Sequence, residues 1–268
     1  PLVHCDAVYL YASHDEDETL NGFFTMNDWL VFSSKDMVNW TDHGSPLSWE
    51  TFSWASSNKS WAPHCVERNG KFFMYVPVSD KIGVAVAESP LGPFEDAIGA
   101  PLLTNYQYID PTVYIDDDGQ AYLYFGNPKL WYVKLNEDMT SYSGGVQQIA
   151  MTAESFGARR GGPTTDRPSA YEEGPWFYRR ADLYYLVYPT GALPEHIAYS
   201  TSPAPTGPWT YGGEIMNSVA GHAFTNHAGI IDFKGRSYFF YHTQELPGGS
   251  GYKRSVAVEE FTYGENGS

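Results

Sequence analysis

Side chains able to take part in acid–base chemistry or ligand binding recur directly before strand-like segments of this sequence. The set comprises Trp61, Asp110, Glu173 and His227, which recur about every 50–60 residues. Where structural repeats close into a ring, side chains at one position of each repeat converge on the central axis. Two carboxyls in one polar site can act in acid–base chemistry, because each changes the pKa of the other. The spacing therefore predicts a shared site around Asp110 and Glu173.

The chain consists mainly of patterns that predict strands and turns. The predicted strands and turns must therefore position these residues. Five hairpin segments each contain an apolar strand, a tight polar turn and an aromatic-rich strand: LVHCDAVYLYAS, CVERNGKFFMYV, VYIDDDGQAYLYF, WFYRRADLYYLVY and IIDFKGRSYFFYH. Asn69-Gly70, Asp118-Gly119 and Lys234-Gly235 are dipeptides typical of hairpin turns. After each hairpin, a second unit predicts a third strand, a turn and a short outer strand.

Five units of four antiparallel strands are typical of a propeller. We therefore predict an all-β fold, a five-bladed β-propeller with a central channel, as a single domain over residues 1–268. A β-sandwich is the alternative, but it does not explain the matching halves of each unit. The first strand of every blade would line the channel, and Glu173 would lie at its mouth. Strand alternation then directs Glu172 away from the channel.

Composition restricts the partners of this protein. The chain has 268 residues, of which 42% are hydrophobic, and its formal net charge is −16. An acidic surface repels phosphate groups, so nucleic acid and membrane surfaces are not expected partners, whereas a neutral sugar is compatible. Two cysteines exclude a disulfide-dense scaffold. Sequons at Asn39, Asn58 and Asn266 favour a secreted, extracellular protein if the source is eukaryotic, although such triplets also arise by chance.

The sequence resembles glycoside hydrolase family 43, the five-bladed xylosidases and arabinofuranosidases of clan F. The resemblance covers essentially the whole chain, and it rests on these segments: SHDEDE (13–18), WLVFSSKDMVNWTDHG (29–44), SWAPH (60–64), YIDPTVYIDDDGQAYLYFG (108–126), EEGPWFYRRADLYYLVY (172–188), NHAGIIDFKGRSYFFYH (226–242) and KRSVAVEEF (253–261). It implies an inverting glycosidase with three carboxylates. Glu173 matches the general acid, and Asp110 matches the aspartate that orients the acid and raises its pKa.

The third carboxylate implied by the resemblance is a general-base aspartate in an Asp-Pro pair. That residue would lie three residues before Pro1, so the sequence is expected to be truncated there, and also within the last blade at its other end. Asp6 is not a substitute, because it falls in the hairpin turn at the far end of the strand.

Further site residues follow from the resemblance or from their chemistry. His227 matches a histidine that faces a calcium ion or a water cluster in the channel, with a satisfied core histidine as the alternative. Arg254 matches an arginine that reaches the substrate beside the acid, with a buried structural ion pair as the alternative. Trp61 and Phe24 are candidate walls of a sugar pocket, because sugars present apolar faces that pack on aromatic rings.

The function implied by the resemblance is that of an exo-acting β-1,4-xylosidase and/or α-L-arabinofuranosidase. Its substrates would be xylo-oligosaccharides or arabinoxylan, and its chemistry would need no cofactor, with calcium as a structural ion only. The insert SHDEDETLNGFF would wall one side of the site, which favours exo action. An endo-arabinanase is the alternative enzyme, and a non-catalytic carbohydrate-binding propeller is the alternative if the general base is absent.

Overall fold

A computed structural model describes residues 1–105, 107–217 and 223–268, in which the strands form five antiparallel sheets. In the first sheet, β1 to β5 span Leu2–His4, Ala7–Ser13, Asp28–Ser34, Thr41–Asp42 and Leu47–Ser48. In the second, β6 to β9 span His64–Arg68, Lys71–Val78, Lys81–Ala87 and Glu95–Asp96. In the third, β10 to β13 span Thr112–Ile115, Ala121–Phe125, Trp131–Leu135 and Tyr142–Gln148.

The fourth and fifth sheets complete the ring of blades. In the fourth, β14 to β17 span Trp176–Arg180, Leu183–Thr190, His196–Ser202 and Thr210–Met216. In the fifth, β18 to β20 span Gly229–Phe233, Arg236–Thr243 and Ser255–Phe261. Among the described residues, a short helix, α1, spans Ala153–Phe156, and 3₁₀ turns span Leu20–Gly22 and Trp49–Thr51. The described part of the chain contains no helix of the length and apolarity that a bilayer crossing requires.

The prediction of a five-bladed β-propeller is confirmed. Each predicted hairpin forms the first two strands of a sheet, and consecutive strands pair in order within each blade, except that β5 of the first blade pairs with β3. Asn69 and Gly70 have φ values of 55° and 77°, and Lys234 and Gly235 have 50° and 77°. Positive φ at both central residues matches the twist of a two-residue hairpin, which explains why these dipeptides end the strands where predicted.

The fifth blade differs from the predicted four-strand pattern, because its sheet has three strands in the described residues. The segment after β20 packs on the fourth blade instead of pairing with β20. The Tyr263 ring lies 3.9 Å from the Arg180 guanidinium carbon, and the Tyr185 hydroxyl donates to the Gly267 carbonyl at 2.8 Å. These contacts join the segment after β20 to the fourth blade.

Buried apolar side chains fill the spaces between neighbouring blades. Each of the five core clusters draws its members from two adjacent sheets. The ring closes where Val8 of the first sheet packs with Phe233 and Phe240 of the fifth. Among the innermost strands, β10 contacts both β6 and β14, and β1 contacts β18. These strands therefore surround a channel, and the residues that precede them meet at one of its ends.

Candidate active site

Three predicted site residues come together at the mouth of the channel. Asp110, Glu173 and His227 precede β10, β14 and β18, and their potential ligand atoms all lie within 4.8 Å of one another. Asp110 is buried, whereas the Glu173 and His227 side chains each keep 18% of their surface exposed. The repeat thus brings together residues that are 54 to 117 positions apart in a cavity of about 590 Å³.

The backbone at this point is bent so that the three side chains can approach. Asp110 and Gly174 have φ values of 53° and 51°, and the Gly174 amide donates to Asp110 Oδ2 at 3.2 Å. A Cβ atom at Gly174 would lie 2.7 Å from the His227 ring. Only glycine combines this positive φ with so close an approach. The Glu-Gly-Pro sequence therefore allows His227 to pack beside Glu173.

Glu173 is held by two polar side chains. His227 Nε2 lies 3.3 Å from Glu173 Oε1, and the Asn127 side-chain amide donates to Glu173 Oε2. Burial raises the pKa of Glu173, but the hydrogen bond with His227 and the charges of His227, Arg167 and Arg254 outweigh burial. The pKa of Glu173 is therefore below its ordinary value in this arrangement.

The raised carboxyl pKa in the cluster is that of Asp110. Burial raises the pKa of Asp110 to about 6, with His227 opposing the shift and Glu173 adding to it. Burial lowers the pKa of His227, but Asp110 and Glu173 outweigh burial and raise it. In this arrangement the imidazole lies directly against the Glu173 carboxyl and favours its charged form, and the raised pKa that the resemblance implies for the acid stays a prediction.

Glu172 does not have the position that strand alternation predicts. The residue precedes β14 rather than belonging to it, and its side chain is 7% exposed among cavity residues. Arg159 lies 2.5 Å from Glu172 Oε1, Arg167 pairs with Oε2, and the Ala192 amide donates to Oε1 at 2.9 Å. Arg167 also donates to Asn127 Oδ1 at 3.1 Å. Glu172 is therefore linked to Glu173 through Arg167 and Asn127.

Arg254 and Phe24 lie together at the cavity. The Arg254 guanidinium pairs with Asp15 at 2.9 Å, and its carbon atom lies 4.4 Å from the centre of the Phe24 ring. Phe24 also contacts the Tyr252 ring at 4.8 Å. Arg254 and Phe24, which the sequence indicated for substrate contact, both line the cavity, and so does Phe23 of the same insert as Phe24. The insert thus forms one wall, as expected.

Trp61 lies on another wall and is half-buried. Its carbonyl accepts from Trp29 Nε1 at 2.6 Å, and Lys59 Nζ lies 5.6 Å from its ring centre. The backbone contact fixes the residue to the first blade. The ring lines the cavity, where it can pack against the apolar face of a sugar.

Sequence reasoning missed several polar residues of the cavity. Asn127 follows β11 and was not singled out, although its position at the end of a strand next to the channel was a usable signal. Glu195 is 4% exposed, and its Oε2 accepts from the Asn226 amide at 2.7 Å. Burial and the charges of nearby carboxylates raise the pKa of Glu195 well above its ordinary value. No local pattern in the sequence brings Glu195 to this cavity.

Comparisons with known proteins give a consistent result. The family model described as Glycosyl hydrolases family 43 matches residues 2–268. The chain is 33% identical to Xylosidase/arabinosidase 43A of Humicola insolens, over 97% of this chain and 91% of that protein. It is 32% identical to a xylosidase/arabinosidase of Bacteroides ovatus, over 100% of this chain and 92% of that protein.

A solved structure of an enzyme with a similar description is also similar to this chain. It is a β-xylosidase/α-arabinofuranosidase from a compost microbial metagenome, determined with xylotriose in a calcium-free form. The match has a TM-score of 0.85 at 31% identity and covers 99% of this chain and 91% of that chain.

Proposed function

The chain belongs to glycosyl hydrolase family 43 and is a glycoside hydrolase, and from this premise we propose that it releases single xylose or arabinose units from xylan-derived saccharides. The observation that carries this proposal is the cavity at the channel mouth. Asp110 and Glu173 lie in it, and Phe23 and Phe24 of the insert close one side. A walled cavity suits the end of a saccharide chain better than its middle, which favours exo action.

Glu173 is the residue that we propose as general acid. It is the less buried of the two clustered carboxyls and lies in the cavity, so it can protonate the leaving oxygen of a bound glycoside. Asn127 and His227 hold its two oxygens and so fix the direction of the carboxyl. Asp110 accepts from the Gly174 amide and thereby fixes the backbone next to the acid.

A bound substrate is expected to return the proton to Glu173. The sugar displaces water from the cavity, and loss of hydration disfavours the charged form of a carboxyl. The side-chain oxygen and nitrogen atoms of Glu173, Asp110 and His227 lie within 4.8 Å of one another, so a proton on Asp110 or His227 has only a short distance to travel to Glu173. This arrangement supplies the acid without requiring Glu173 to be protonated before substrate binds.

Inversion is the stereochemical course that we propose. An inverting glycosidase needs a second carboxylate behind the attacking water, roughly 6.5–9.5 Å from the acid. The family resemblance gives that role to a third carboxylate, an aspartate in an Asp-Pro pair. Arg254 and Trp61 are proposed to bind the sugar, through hydrogen bonds and through packing on the indole ring.

The test is hydrolysis of 4-nitrophenyl β-D-xylopyranoside and 4-nitrophenyl α-L-arabinofuranoside, followed by hydrolysis of xylo-oligosaccharides and debranched arabinan. We expect 4-nitrophenol release from at least one glycoside, and single pentoses as the first products from oligosaccharides. Proton NMR of the first turnover on the xyloside should show the α-anomer of xylose. Release of longer arabinan fragments without hydrolysis of either aryl glycoside would indicate endo cleavage in place of exo action. Detection of β-xylose as the first product would exclude inversion.

A calcium ion beside His227 remains a proposal. The nearby donor set is one imidazole and two carboxyls, whereas calcium takes six to eight oxygen ligands. Direct ligation by Glu173 would also compete with its proton. The residues therefore fit an ion held mainly by water, with an electrostatic role. His242 Nδ1, which is buried without a hydrogen-bond partner in the described residues, offers a further contact for that water.

Metal analysis of the purified protein tests this proposal. We expect about one calcium per chain after gel filtration, and loss of that calcium in a His227→Ala variant. Chelation is expected to lower the melting temperature of the wild-type protein and to leave that of the variant unchanged. Equal calcium content in both proteins would exclude His227 from the ion's surroundings.

A further inference from the structure

We propose that Asp15 is a positioning residue of the active site, which holds the Arg254 guanidinium toward the substrate and away from the catalytic carboxyls. The inference deepens the proposed function, because it concerns the same cavity. Asp15 lies in the insert that follows β2 of the first blade, and Arg254 immediately precedes β20 of the fifth. The two residues are 239 positions apart, so the fold alone brings them together.

Three hydrogen bonds join the two residues. Asp15 Oδ2 accepts from the Arg254 backbone amide at 2.8 Å and from Nε at 2.9 Å, and Oδ1 accepts from Nη2 at 2.9 Å. The side chains are only 6% and 11% exposed. Charge-assisted, bidentate pairs of this kind fix the plane of the guanidinium as well as its position. Asp15 thus fixes both the backbone and the head group of Arg254.

The remaining contacts of Arg254 leave donors for a ligand. A guanidinium has five N–H groups, of which Asp15 uses two. Thr225 Oγ1 accepts a third from Nη1 at 3.2 Å, and the Phe24 ring covers one face. Among the described residues, the other two N–H groups have no partner. One is on each terminal nitrogen, and the side chain lines the cavity. Hydroxyl oxygens of a sugar are suitable acceptors for both.

Asp15 also determines the position of the Arg254 positive charge relative to the Asp110 and Glu173 carboxyls. Burial is the largest influence on the pKa of Asp110 and of Glu173, but the Arg254 charge is among the influences that lower both values. Without Asp15, the guanidinium would have these clustered carboxyls as alternative partners in the cavity. An ion pair with Glu173 would favour its charged form further and oppose the protonation that the reaction requires. Asp15 thereby keeps the arginine and the acid apart.

A merely structural role is the competing explanation, since the pair also joins the first and fifth blades. The chain offers a matched control for that role. Lys234 Nζ donates to the Lys35 carbonyl at 2.7 Å and joins the same two blades, and neither residue lines the cavity. Lys234→Met should remove this link without touching the site, so its effect measures what a lost contact between these blades does to the enzyme.

The experiment compares full-length wild-type protein with Asp15→Asn, Asp15→Glu and Lys234→Met. We expect Asp15→Asn to lower kcat/KM on the preferred pentoside about 100-fold, because a misplacement of about 1 Å in a binding group has effects of that size. The loss should be greater for xylobiose than for the 4-nitrophenyl glycoside, since only the former depends strongly on the acid. Asp15→Glu should recover part of the activity, and Lys234→Met should retain wild-type kinetics.

A double-mutant cycle separates positioning from direct action. In an Arg254→Ala background, Asp15→Asn should change kcat/KM by no more than about twofold, because the group through which it acts is gone. Arg254→Lys keeps the charge but cannot make the planar pair, so it should resemble Asp15→Asn. This second variant decides the question if Asp15→Asn does not fold.

Two results would overturn the inference. One is unchanged kinetics for a folded Asp15→Asn protein, and the other is the same fold-loss in the Arg254→Ala background as in the wild type. If the wild-type enzyme hydrolyses neither pentoside, a panel of aryl glycosides identifies the one it does hydrolyse, and the same variants are compared on that substrate. Failure of the sugar assignment is therefore distinguishable from failure of the Asp15 inference.

Discussion

Replacing Glu173 by glutamine is expected to lower kcat/KM on xylobiose by about 10³-fold, because general acid catalysis contributes roughly 10²–10⁴-fold. Glutamine has the same shape and can still contact Asn127, but it has no proton to give to the leaving oxygen. A 4-nitrophenolate group leaves without protonation, so the loss on the aryl glycoside should stay within about tenfold. Steady-state kinetics on the two substrates measure the difference directly.

The matched control for this prediction is Glu137→Gln, which makes the same change at an exposed residue outside the cavity. It should keep wild-type kinetics on both substrates. Melting temperatures of both variants show whether each is folded. An equal loss on xylobiose and on the aryl glycoside in a folded Glu173→Gln protein would mean that Glu173 is not the acid.

Replacing Glu172 by glutamine is expected to lower the free energy of unfolding by about 3 kcal/mol, because removing one partner of a buried ion pair leaves charge uncompensated. The Glu172 side chain is 7% exposed, and it faces both Arg159, at 15%, and Arg167, at 27%. The variant should also lose about tenfold in kcat, since Arg167 holds Asn127 and Asn127 holds Glu173. Denaturant unfolding and kinetics test the two parts separately.

Glu260→Gln is the control, because it breaks an ion pair with Arg236 on the exposed surface. Exposed pairs of this kind contribute little, so its unfolding midpoint should match that of the wild type. If Glu172→Gln and Glu260→Gln have the same midpoint, the buried cluster does not stabilise the fold as argued. If stability falls but kcat does not, the link from Arg167 to Glu173 has no catalytic effect.

Most of the architecture follows from local sequence patterns. Alternating apolar residues and turn dipeptides such as Asn69-Gly70 depend on a few neighbouring residues, so the hairpins and their five-fold repetition were predictable. The repeat then placed Asp110, Glu173 and His227 at one end of a common channel, because equivalent positions in a propeller face the same axis. The family resemblance added roles for these residues, but their proximity is a consequence of the repeat.

The sequence alone thus determined the five blades, their hairpins and the three residues at the channel mouth. Only the tertiary structure decided where the Glu172 side chain lies. Glu172 precedes β14, so the alternation of side chains along that strand does not apply to it. It also gave Arg254 its partner Asp15, brought Glu195 into the cavity and buried Asp110, which raises the pKa of that carboxyl. The physical reason is that burial and ion pairing depend on contacts between distant blades, which no local pattern in the chain encodes.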